Sequence, residues 1–151
     1  MRTWVSGVQI PPSALSYLMT IDEIYLSEAI KEAKAGLKAQ EEPVGAVVVL
    51  GGRLVGRAHQ QTHTLKDPTA HAVMIALTQA AAATETGRLK GARLYATEMP
   101  CRMCLAAAQL TGVAQIVCGV RRRSSQTGRI SMKGGVLEEE CKALRGERKN
   151  C

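Results

Sequence analysis

Three side chains able to bind a metal stand out by type and spacing. His71 lies in the stretch Asp-Pro-Thr-Ala-His-Ala-Val (67–73), and Cys101 and Cys104 form a Cys-x-x-Cys pair thirty residues further on. Two thiols three residues apart at the start of a helix can face one side. The positive end of the helix favours thiolate over thiol. One imidazole and two thiolates suit zinc, and three protein ligands leave a fourth tetrahedral position for water, as in catalytic rather than closed structural sites. Other readings stand beside this one. A Cys-x-x-Cys pair can be a redox couple, two helical cysteines can be small buried residues, and a single histidine in a helix is more often structural than a ligand.

The surrounding pattern predicts the elements that must bring these residues together. Thr20 and Glu23 form a capping box, and Leu26, Ala29, Ile30, Ala33 and Leu37 recur at helical spacing. Pro43–Ala58 is rich in β-formers and is divided by Gly51–Gly52, which reads as a hairpin. After a polar loop, Asp67 as cap and Pro68 in the first turn open a second helix running to about Ala83. Strands are expected at 92–97 and 113–120, with a helix from Cys101 to near Gly112 between them. A short strand near 129–135 and a helix beginning at Val136 close the pattern. Helices and strands alternating after a hairpin point to a three-layer α/β domain, a mixed sheet with helices on both faces. Residues 1–18 hold the single Trp and a Pro-Pro pair without clear period. They read as an extension outside a domain spanning 19–151, with Met19 as an alternative start.

The 151 residues suffice for one domain with a core, and 46% are hydrophobic. No Phe is present, so Val, Ile, Leu, Ala and Met must build that core. Net charge is +7; residues 118–151 carry nine Lys or Arg against four Asp or Glu, +5 of the total. Such a stretch, with Arg121–Arg123 near its start, can attract nucleic acid or can simply be a solvated surface. Five cysteines, an odd number with two in a Cys-x-x-Cys pair, fit a reducing cytoplasm and a metal site better than a disulfide framework. Cys118 reads as a core residue of its strand, and Cys141 and Cys151 have no evident partner. His59 and His63 read as solvated. No apolar run is long enough to span a membrane, and no secretory signal is evident.

The segments PVGAVVV, DPTAHA, LYAT, PCRMC and GGVLEEEC together resemble the zinc-dependent cytidine and deoxycytidylate deaminase superfamily, in particular bacterial tRNA-specific adenosine deaminases and related nucleoside and guanine deaminases. The likeness runs from about Ile21 to Leu144. It implies a five-stranded sheet between helices, zinc held by His71, Cys101 and Cys104, and hydrolytic release of ammonia from a nucleobase. Members of this family are commonly dimers. The resemblance also implies substrate contacts at Gln60, where the family usually has Asn, and along Ala72 and Pro100. In the family a glutamate two residues after the histidine moves protons between water, ring and leaving amine. Here that place is Val73, which has no titratable group. The family's Glu-Pro-Cys is replaced by Met99-Pro100-Cys101. The acid one step earlier, Glu98, is expected on the opposite strand face. The string HAVM looks like the non-catalytic subunit of the eukaryotic heterodimeric tRNA adenosine deaminase, which has valine at the same place. Impaired deaminase, inactive zinc-binding partner of an active paralogue and basic nucleic-acid-binding module are therefore the three functions to weigh.

Overall fold

The computed structural model describes residues 3–5, 8–10, 18–121 and 128–148. A five-stranded mixed sheet with helices on both faces forms its centre, as expected. Strands β1 (Thr3–Val5) and β2 (Val8–Ile10) pair only with each other, in a separate two-stranded sheet. The sequence pattern gave no sign of them. Such a local antiparallel pair needs little hydrophobic periodicity.

Helix α1 (Ile21–Lys38) begins with the expected capping box. The Glu23 amide donates to Thr20 Oγ1 at 3.2 Å, and the Thr20 amide donates to Glu23 Oε2 at 2.7 Å. Its buried stripe is Leu26, Ala29, Ile30 and Ala33, ending on Gly36; the expected last member, Leu37, is only half-buried. Strands β3 (Gly45–Leu50) and β4 (Arg53–His59) form the hairpin. Gly51 and Gly52 have φ of +59° and +74°, the left-handed pair that a tight two-residue turn requires.

Helix α2 (Ala72–Ala82) departs from expectation at its start: His71, not Asp67, occupies the cap position. The Asp67 carboxylate is engaged locally. It accepts from the Thr69 amide at 2.8 Å and the Thr69 hydroxyl at 2.7 Å, which turns the chain before the helix can begin. Strand β5 (Arg93–Glu98), helix α3 (Arg102–Thr111) and strand β6 (Gln115–Val120) follow as a parallel crossover. Gly112, with φ of +94°, ends α3. Strand β7 (Ser131–Lys133) and helix α4 (Glu138–Arg148) are the last elements among the described residues. The sheet order is β4-β3-β5-β6-β7, antiparallel on the hairpin side and parallel on the other.

Period-two alternation along the central strands separates two cores. Ala46, Val48, Leu94 and Ala96 pack with α2 and α3. Val47, Val49 and Tyr95 pack against Leu26 and Ala33 of α1 and Cys141 and Leu144 of α4. Small residues let α1 approach β3 closely. A Cβ at Gly45 would overlap the Ala29 carbonyl oxygen and crowd the Ala33 amide. Gly45→Ala is therefore expected to destabilise the fold by about 3 kcal/mol, the upper end of ordinary overpacking. Gly146→Ala, in α4 with open space around it, should instead stabilise by about 0.4–1 kcal/mol. Denaturant midpoints of the two variants check both signs. No helix among the described residues is long and apolar enough to cross a membrane.

Candidate metal centre

Strand β5 ends, strand β3 begins and both α2 and α3 start at one edge of the sheet. A cavity of about 700 Å³ opens there. His71 is the cap residue of α2 and Cys101 that of α3, and neither side chain caps its own helix. Both turn instead toward each other and toward Cys104 in the first turn of α3. His71 Nδ1 lies 3.5 Å from Cys101 Sγ and 3.6 Å from Cys104 Sγ, and all three atoms fall within 4.8 Å of one another.

The spacing fits a tetrahedral ion. A centre with nitrogen at about 2.0–2.1 Å and sulfur at about 2.3 Å separates the two ligand atoms by roughly 3.5 Å. The electrostatics fit too. Burial first, and then the neighbouring Cys101, push the Cys104 thiol up to about 12. The helix terminus that was expected to favour thiolate is outweighed by desolvation at this buried position. A buried thiol facing a second sulfur and an imidazole nitrogen becomes a good ligand once a dication supplies the missing positive charge.

The other residues singled out in the sequence also reach the cavity. Gln60, Ala72, Val73 and Pro100 all line it. Val73 is 4% exposed and packs in the same core as Cys104, so an aliphatic wall stands beside the cluster. Glu98 corrects the reading from strand alternation. It lines the cavity, because it shares a strand face with Leu94 and Ala96, which pack with Val73 and Cys104. The sequence also gave no sign of Arg145, which reaches over from α4 and donates from Nε to Glu98 Oε1 at 2.7 Å. Glu42, Pro43 and Val44 complete that side. His59 is half-buried, not solvated, and its Nδ1 lies 2.8 Å from the Gln60 carbonyl oxygen.

The loop that delivers Gln60 and His71 is anchored by Glu41, 2% exposed. Its Oε1 accepts from the Thr64 amide at 2.6 Å and hydroxyl at 2.8 Å, and Oε2 from the His63 amide at 3.3 Å. The Gln61 amide, bonded to the Ala70 carbonyl at 3.0 Å, closes the loop next to His71. Burial alone would raise the Glu41 pKa, but the Thr64 and His63 donors together hold it below the usual carboxylate range. Its contribution to stability is therefore complete above the ordinary glutamate value and is lost as pH falls through the lowered one. Glu41→Ala is expected to cost about 2 kcal/mol at neutral pH. The melting temperatures of variant and parent should converge as pH drops below about 4; a gap that stays constant down to pH 3 contradicts this.

The basic C-terminal stretch is largely paired where it is described. Lys133 meets Asp22 at 2.7 Å, and Lys142 meets Glu138 at 3.1 Å. Arg121 is exposed, whereas Arg122, Arg123 and Cys151 lie outside the described residues. Cys118 and Cys141 are buried, the former as expected of a core strand residue.

Comparison with known proteins bears on this arrangement. The profile of the cytidine and deoxycytidylate deaminase zinc-binding region matches residues 19–120. A tRNA-specific adenosine deaminase of Bacillus subtilis (strain 168) is 39% identical over 137 residues, 82% of this chain and 85% of that protein. A solved structure from a study of A-to-I editing by tRNA:A34 deaminases superposes with a TM-score of 0.74 at 30% identity, covering 80% of this chain and 98% of the other. A guanine deaminase from Nitrosomonas europaea, 22% identical, shares the fold with a TM-score of 0.79 over 94% of each chain.

Proposed function

Because the chain belongs to the cytidine and deoxycytidylate deaminase zinc-binding family, we propose that its cavity receives a nucleobase bearing an exocyclic amine, and that hydrolysis of this amine is impaired by Val73. The observation that carries the reading is the His71–Cys101–Cys104 cluster at ligand spacing on a cavity wall it shares with valine. His71, Cys101 and Cys104 hold zinc. A zinc ion there supplies the Lewis acidity that makes water a nucleophile near neutral pH. Gln60 contacts the substrate, while the Ala72 backbone and Pro100 border its ring. The base is a purine or cytosine, presented in tRNA or free; the tRNA-specific adenosine deaminase relative supports a purine in tRNA, and the matched family supports cytosine.

Val73 keeps the cavity shape and the metal ligands but moves no proton. The chain thus retains binding while losing most of its chemistry. The functional unit is residues 19–151, working in a reducing cytoplasm, which the free Cys101, Cys104, Cys118 and Cys141 support. It assembles with a second copy or with a paralogue that keeps the acid; exposed Ile21 and Ile24 beside Leu18 and Met19 favour such a contact. Elemental analysis should find one zinc per chain, and calorimetry should find nucleoside binding that disappears on chelation. Binding unaffected by chelation, or no zinc, overturns the proposal.

A further inference from the structure

We infer that the Glu98–Arg145 pair selects the base. It fits a ring that keeps an N–H beside a carbonyl oxygen once its exocyclic amine faces the His71–Cys101–Cys104 cluster, the pattern of guanine and other 2-amino-4-oxopyrimidine rings. The inference rests on reading the cavity as a nucleobase pocket and adds which base it prefers.

Three observations carry it. Glu98 lies three residues before Cys101 on the same wall, with its side chain only 13% exposed. Arg145 is held beside it through Nε at 2.7 Å, on a helix fixed by Leu144 and Cys141 in the core. The wall therefore offers an acceptor-only carboxylate next to a donor-only guanidinium. Glu42, also on the cavity lining, adds a second carboxylate.

The chemistry of the bases then discriminates. When the 2-amino group of guanine is at the metal cluster, the adjacent N1–H can donate to Glu98 and the 6-oxo group can accept from Arg145. Adenosine with its 6-amino group, or cytidine with its 4-amino group, in the same place has no ring N–H left to donate. The Glu98 carboxylate would then face a ring nitrogen that can only accept, and sites built to hydrogen-bond a substrate reject analogues that lack the group.

The test is calorimetric titration of the zinc-loaded full chain with guanosine, adenosine and cytidine. Binding is readable without turnover, so Val73 does not obscure it. Guanosine is expected to bind roughly tenfold tighter or more. Glu98→Leu should erase the preference by weakening guanosine without weakening adenosine. Arg145→Leu should also weaken guanosine, and serves if Glu98→Leu fails to fold as judged by zinc content and melting. Nucleosides that bind without guanosine preference, or a preference that survives Glu98→Leu, overturn this inference alone. No binding of any nucleoside overturns the pocket reading beneath it as well.

Discussion

Val73→Glu is expected to raise ammonia release at least about 10²–10⁴-fold over the chain as it stands, the range that a positioned acid–base group contributes. Hydrolytic deamination adds water to the carbon bearing the amine and expels ammonia, leaving an oxo group. Of the two protons of the water, one must reach the ring nitrogen and the other the departing amine. Val73 sits two residues after His71, on the cavity lining, where a carboxylate could serve each transfer. The substitution should be tolerated. Glutamate has nearly the volume of valine, its carboxylate can project into the cavity, and the first turn of α2, which contains no acid, favours negative charge. Val73→Gln supplies the size without the proton and should remain as inactive as the parent. A zinc-loaded, folded Val73→Glu chain that is silent on adenosine, guanosine, cytidine and a tRNA anticodon stem would show that this cavity does not perform nucleobase deamination. A parent already as active as Val73→Glu would place the acid elsewhere on the wall, with Glu98 the first group to test.

What the sequence made legible follows from how local each signal is. The capping box at Thr20 and the hairpin at Gly51–Gly52 depend on neighbouring residues alone, and both are found. The metal cluster was legible because three uncommon ligand types carry their chemistry in their identity, even thirty residues apart. Asp67 misled because the same side chain suits a helix cap and a two-residue turn, and only the Thr69 bonds decide between them. Glu98 misled because alternation gives a relative face, not which face the cavity occupies. Met99 lies beyond the end of β5, whereas Leu94 and Ala96 within the strand point to the metal side. Arg145 left no trace, since an arginine on an exposed helix reads as solubilising until α4 is packed across the end of β5.

Loading with zinc is expected to stabilise the chain by about 4 kcal/mol when free metal exceeds its dissociation constant a thousandfold, and Cys104→Ala should abolish that increment. The metal-free pair separates the two contributions. Cys104 is 1% exposed, so truncating it costs about 1 kcal/mol of packing with or without metal. The rest of the difference belongs to the ion. The pH dependence gives an independent reading. In the metal-free chain the Cys104 thiol is raised to about 12 by burial and then by Cys101. Its protonated form is thus favoured by folding, and that contribution is complete below the unfolded thiol value near 8.5 and lost as pH rises toward 12. Zinc reverses the preference, because coordination takes the thiolate and displaces the proton. The gap in melting temperature between zinc-loaded and metal-free chain should therefore widen from pH 6 to pH 8, and zinc addition in weak buffer should acidify the solution. A gap independent of pH would mean that the stabilising ion is not held by thiolates. Melting curves that coincide with and without zinc would mean that His71, Cys101 and Cys104 converge for packing and not for metal.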